Sequence, residues 1–361
     1  MRIFSYRNRI RLKRLLIALL CLLLAAVALI AGYAVFLSRY VVYTSDGAWL
    51  DLPWEEDSST GADAASAFVS GELVMDSAIT RESMPTDAEI AETAVISDEP
   101  VSGYTVDPTE LSDAAEILDL IDEELAEAEA EGEDLTEAAA SLTVMITVKS
   151  TSGTFYYNSA LGDCADCADI TEDLIAGLAE RGVSLTARLP AFADSAFALE
   201  NQSIGLPITG GALWMDSSGN YWLDPTSSTA QDYLVSICQE LRALGFSEIV
   251  FSEFAFPDSS SIIYDSDYTR DELTAQAAES VTAMLASSGL NISFMTDDTE
   301  SAFAAVSCAD RIYLELDDGS SVAAVAGLYA DVLEDISLQL VFVTESRDTR
   351  FEDYGVLRPL S

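Results

Sequence analysis

Between Ser141 and Ser346, six short apolar runs alternate with segments of helical periodicity. The runs are SLTVMITVKS, VSLTARLPAF, EIVFSEFAFP, LNISFMT, DRIYLEL and SLQLVFVTES. Each is too short for a long helix, and each is apolar on successive residues instead of alternating apolar with polar. A strand of that kind is buried on both faces, as in a parallel sheet covered by helices. The segments between them include DITEDLIAGLAERG and SSTAQDYLVSICQELRALG, which end on Gly182 and Gly245 as helices commonly do. PTELSDAAEILDLIDEELAEAEAEGEDL reads as a helix broken at Gly132, with a strand before it, and TESAFAAVSCA reads as a helix between two of the runs. This repeating strand–helix unit predicts an α/β fold of the (β/α)8 barrel type, complete or irregular, over residues 101–361. A doubly wound sheet is the alternative, but no Gly-rich phosphate loop follows the first strand.

Residues upstream of 101 belong to a different regime. RNRIRLKR precedes an uncharged run from Leu15 to Leu37. At about 1.5 Å per residue this run is long enough for the hydrocarbon core of a bilayer, about 30 Å. The basic residues lie on its N-terminal side, so the positive-inside rule predicts a cytoplasmic segment 1–14, a transmembrane helix 15–37 and an extracellular remainder. No small-x-small cleavage site follows, which favours an uncleaved signal anchor at the cell membrane over a removed leader. Residues 38–100 read as a hairpin or stalk, YVVYTSDGAWLDLPW, followed by an acidic linker rich in Ser, Thr and Ala.

Charge and composition exclude several functions. The 361 residues hold 62 Asp and Glu against 17 Lys and Arg, a net charge of −45, so no basic face is expected for nucleic acid. There is no histidine, which removes His-based triads and the commonest metal ligand. Neither a metal nor a cofactor is expected. Of five cysteines, Cys164 and Cys167 form a lone C-x-x-C, either a local disulfide or two surface thiols, with no second pair to complete a zinc site.

From about Thr143 to Asp298 four ordered motifs resemble a bacterial family of glycoside-hydrolase-like barrel domains of uncharacterised function. They are MITVKSTSGTFYYNS, GVSLTARLPAF, GNYWLDPTSS and EIVFSEFAFP. Lys149, Arg188, Trp222, Asp224 and Pro225 stand where the family has the same residues. Thr147 and Ser252 stand where it has Asp, and Ala255 where it has Arg. The resemblance implies a carbohydrate or cell-envelope glycan as partner. It places Lys149, Arg188, Trp222 and Asp224 as substrate-binding candidates, with Tyr156, Trp214 and Tyr221 as further aromatic faces. The same Lys149, Arg188 and Asp224 can also be read as an internal salt-bridge network.

Glycoside hydrolysis uses two carboxyl groups, about 5 Å apart for retention and wider for inversion. Glu253, Glu315 and Glu345 end apolar runs, and Glu253 and Glu345 are the catalytic candidates. Side chains alternate along a strand. If Ser252 faces the barrel interior with Val250, Glu253 is expected to face the helix layer unless a bulge or an early strand end swings it back. With Ser252 and Ala255 replacing the family's polar residues, the expected function is glycan binding with weak or no hydrolysis. An active retaining glycosidase and a ligand-free structural surface protein are the alternatives.

Overall fold

The computed structural model describes residues 41–44, 47–50, 99–298, 300–316, 321–346 and 348–360. The expected transmembrane helix 15–37 and acidic linker lie outside these residues. Among the described residues no helix is long and apolar enough to cross a membrane. The chain divides into two units, Met1–Met84 and Pro85–Ser361. In the first, β1 (Val41–Thr44) and β2 (Gly47–Leu50) form an antiparallel hairpin pairing Val41 with Leu50 and Thr44 with Gly47.

The second unit is a closed barrel of eight parallel strands. In chain order these are β3 (Ser102–Val106), β4 (Leu142–Thr147), β5 (Ser184–Pro190), β6 (Glu248–Ser252), β7 (Asn291–Thr296), β8 (Ile312–Glu315), β9 (Leu340–Val343) and β10 (Gly355–Pro359). Each pairs with the next, and β10 closes the ring on β3, with Val356 opposite Ser102. The (β/α)8 reading therefore holds, and the doubly wound alternative does not.

The helices that cover the barrel start and stop where the local chemistry dictates. α1 (Ala114–Glu131) begins when the Asp113 side chain accepts from Ala115 N, and ends on Gly132 at φ +97°. After the short α2 (Leu135–Ser141), α3 (Ala168–Arg181) closes on left-handed Gly182. α4 (Ser195–Glu200) and α5 (Ser228–Ala243) follow. α6 (Arg270–Leu285) opens with a capping box between Thr269 and Glu272. α7 (Val322–Tyr329) and α8 (Ile336–Gln339) complete the set.

Two sequence expectations fail. TESAFAAVSCA forms only a 3-10 turn at Val306–Cys308. Its apolar residues Ala302, Phe303 and Ala304 line a cleft instead of a helix face, so their periodicity has another cause. The closing strand β10 was not expected: it is five residues long and carries Arg358 and Pro359, a composition that argues against a strand. Pro is tolerated here because it is the last residue of the strand.

Side-chain alternation divides the core into two layers. Met145, Val250, Met295, Tyr313, Val341, Val343 and Leu357 pack with Val101 inside the barrel. Val144, Ile146, Ile249, Phe251 and Phe294 belong to the larger core beneath the helices. At the N-terminal end of the barrel, Arg311 Nη1 donates to Glu248 Oε2 at 2.7 Å and Ser293 Oγ donates to Glu248 Oε1 at 2.5 Å, all three residues being buried. Burial pushes the Glu248 carboxyl up, while the Arg311 charge and the Ser293 hydrogen bond pull it back.

Candidate carbohydrate-binding cleft

The C-terminal ends of the strands surround a cleft of about 510 Å³. This is the face on which barrel enzymes carry their chemistry. Arg188 from β5, Ser252 at the end of β6, Thr296 at the end of β7 and Glu315 at the end of β8 line it. Trp222 comes from the long loop after α4, and Asp271 from the first turn of α6. Asp297 and Asp298 follow β7 directly.

Glu253 also lines this cleft, and the expectation that it faces the helix layer is corrected. It is the one non-glycine residue with positive φ among the described residues, at +48°. β6 ends at Ser252, so Glu253 is free of the strand's alternation and turns back toward the mouth. The cause is hydrophobic. Phe251 packs beneath the helices, and Phe254 packs on the same cluster, 5.6 Å from Phe251, 4.7 Å from Phe192 and 4.8 Å from Phe294. An extended chain would send residues three apart to opposite faces. The left-handed residue restores them to one side, at a backbone cost on the order of 1–3 kcal/mol that the aromatic cluster offsets. One product of this turn is a buried carboxylate oxygen, Glu253 Oε2, that has no hydrogen-bond partner.

The other candidates divide. Arg188 Nη2 lies 3.4 Å from Glu315 Oε2 across the mouth, with both side chains partly in solvent. The Trp222 indole is fixed by donating from Nε1 to Asp216 Oδ2 at 2.9 Å and by an edge contact with Trp214. Asp224 is not part of the cleft lining. Its Oδ1 accepts from Thr226 N at 2.9 Å and from Thr226 Oγ1 at 2.7 Å, which closes a local turn. Glu345 is exposed beyond β9 and does not line the cleft. Lys149 is buried behind it, with Nζ 2.5 Å from Asp194 Oδ2. The three polar candidates therefore do not form one network: Lys149 goes to Asp194, Arg188 to Glu315 and Asp224 to Thr226.

Sequence reasoning missed Asp271, Asp297 and Asp298. Asp297 had a visible signal, since it directly follows the apolar run LNISFMT. Asp298 is committed locally: it accepts from Ser301 Oγ and from Glu300 N at 2.7 Å, and these bonds hold its carboxyl below the usual range. Among the described residues no group of His, Cys, Asp and Glu is placed to hold a metal ion. The thiols of Cys164 and Cys167 are both free, the former exposed.

The fold and the site are thus a closed barrel of eight parallel strands with a carboxylate-lined cleft at their C-terminal ends. Residues 129–299 match the model of the family described as "Putative glycosyl hydrolase domain". Among solved structures, a hypothetical protein from Ruminiclostridium thermocellum is 18% identical, with 53% of this chain and 96% of that one covered, at a TM-score of 0.43. An alpha-galactosidase from Thermus thermophilus is 15% identical over 60% of this chain and 42% of its own, at a TM-score of 0.42. One from Lactobacillus brevis is 11% identical over 74% and 38%, at 0.49. The match thus spans less than half the length of either galactosidase. No curated protein matches the chain.

Proposed function

We propose that this protein is a cell-surface carbohydrate-binding barrel, anchored through residues 15–37, that hydrolyses its glycan slowly or not at all. The observation that carries the reading is the cleft at the barrel mouth, whose lining brings together Glu253, Arg188 and Trp222. A carboxylate is an acceptor for sugar hydroxyls. Trp222 offers a ring held in place by Asp216, and Arg188 offers donors at the rim.

The expectation of slow chemistry rests on the second carboxylate. Glu315 has a side chain 54% exposed and its Oε2 faces the Arg188 guanidinium at 3.4 Å, so it is held by an ion pair at the rim. Ser252 occupies the position where the family has Asp. A retaining glycosidase using Glu253 and Glu315 is the second reading, favoured by their sharing one cleft.

Titration calorimetry and product analysis on a panel of neutral cell-wall and host oligosaccharides test this. We expect one class to bind, and Glu253→Gln to weaken it about 10- to 100-fold, the value of a charge-assisted hydrogen bond. Failure of the wild type to bind any glycan, or an unchanged Glu253→Gln, contradicts the binding reading. Rapid turnover that Glu253→Gln lowers by about 10²–10⁴ while binding persists establishes the glycosidase instead.

The topology has its own test. Protease added to intact cells should remove the barrel and leave residues 1–14 protected. Protection of the residues after 40 would reverse the orientation.

A further inference from the structure

We propose that the cleft prefers a glycan carrying free amino groups, a chain of de-N-acetylated hexosamine, over its neutral or uronic-acid counterparts. The inference rests on the reading of the cleft as a sugar site and adds to it the charge of the sugar.

Three successive strands each deliver a carboxylate to the mouth. Glu253 follows β6, Asp297 follows β7 and Glu315 ends β8. Asp271 and Asp298 bring the carboxylates in the lining to five. Among the described residues Arg188 is the one basic residue that lines the cleft, and Glu315 already holds it. Strand register explains that pairing. Arg188 stands opposite Val250 and Glu315 opposite Val343, and both valines pack inside the barrel. Opposite residues of neighbouring strands share a face. The two charged side chains therefore meet over the barrel interior, Nη2 to Oε2 at 3.4 Å.

No ion pair among the described residues includes Glu253, Asp271, Asp297 or Asp298. Asp298 is engaged in its own turn by Ser301 and by Glu300 N at 2.7 Å. Glu253, Asp271 and Asp297 remain for a ligand. The wall between them is apolar, formed by Phe254, Phe256 and Phe303, and a concave site with apolar walls concentrates the field of its charges. Trp222 makes an observation independent of charge. Its indole, fixed by the 2.9 Å bond to Asp216, is a flat face that suits a carbon ring and not a linear polyamine. A ring that carries a protonated amine uses both features, stacking on Trp222 while the ammonium donates to the carboxylates. N-acetylation removes the charge and keeps the ring. A uronic acid sets a further carboxylate among five, and its natural partner Arg188 is taken.

Calorimetric titration of the full chain just below neutral pH, where the amines are protonated, tests this with the trisaccharides of glucosamine, N-acetylglucosamine and galacturonic acid. Glucosamine should bind about 10- to 100-fold tighter than the N-acetylated trisaccharide, the value of a charge-assisted hydrogen bond, and galacturonic acid weakest of all. The preference should shrink as salt rises. Asp297→Asn should lower it about 5-fold, as for an ion pair that stays partly solvated. Glu123→Gln, on the exposed face of α1, should not change it, and spermidine should bind less tightly than the glucosamine trisaccharide. Binding of the N-acetylated trisaccharide without preference for the amine overturns this inference and leaves the sugar-binding reading standing. Failure of all three to bind contradicts both. Equal binding of spermidine, or equal effects of Asp297→Asn and Glu123→Gln, would assign the preference to the acidity of the whole chain and overturn the cleft as its source.

Discussion

Arg311→Met is expected to destabilise the barrel by about 3–5 kcal/mol, the cost of breaking a buried ion pair by removing one partner. Glu248 would remain at the N-terminal end of the barrel with Ser293 as its hydrogen-bond donor and no counter-charge. The double variant Arg311→Met with Glu248→Leu should recover most of the loss, since two apolar groups of similar size often replace a buried pair at little cost. The pH dependence has a definite sign. Burial already raises the folded-state pKa of Glu248, and losing Arg311 raises it further. A carboxyl whose folded pKa exceeds its unfolded one binds more protons when folded, so stability rises as pH falls. The deficit of Arg311→Met should shrink from neutral pH down toward the ordinary Glu range near about 4.3. Chemical denaturation across that range checks it. A deficit that grows as pH falls would mean that Glu248 is not the group left uncompensated.

Gly103→Ala should be the more damaging single change. Gly103 sits in β3 at φ +153°, opposite Thr143 of β4. A Cβ there would lie 1.8 Å from the Thr143 carbonyl oxygen, and that backbone is held by pairing on both sides of β4. Neither strand can retreat without opening the barrel. Backbone strain and clash together place the loss at the upper end of single-residue effects, on the order of 4–5 kcal/mol. Ala at Gly132, where nothing lies within 4 Å, is the control: only its left-handed conformation is strained, and the loss should be much smaller. Equal losses at the two positions would show that the close approach to Thr143 is relieved by backbone movement.

The barrel was legible in the sequence because its signal is repetitive. Apolar runs such as LTVMIT and EIVFS are buried on both faces, and glycines at 132, 182 and 245 close the helices between them. What escaped was the part whose apolar residues serve something other than a regular element. Phe303 lines the cleft and stacks on Phe294 instead of forming a helix face, and β10 is a short strand with an arginine and a terminal proline.

The site was legible only by address. Arg188, Trp222 and Glu253 reach the cleft, while Lys149, Asp224 and Glu345 do not line it. Strict alternation sends Glu253 outward, and it misled because β6 stops one residue before it. The hint was in FSEF itself: two phenylalanines three apart cannot both enter one core from an extended strand. Lys149 and Asp224 go to Asp194 and Thr226, partners that run spacing does not reveal.

The most direct test of the central claim is crystallographic: the position of a neutral oligosaccharide bound to the protein. The account predicts a sugar ring in the cleft beside Trp222, with one hydroxyl donating to the Glu253 carboxylate at about 2.5–3.0 Å. A sugar seated elsewhere on the barrel, or one in the cleft that makes no hydrogen bond to the Glu253 carboxylate, would contradict it.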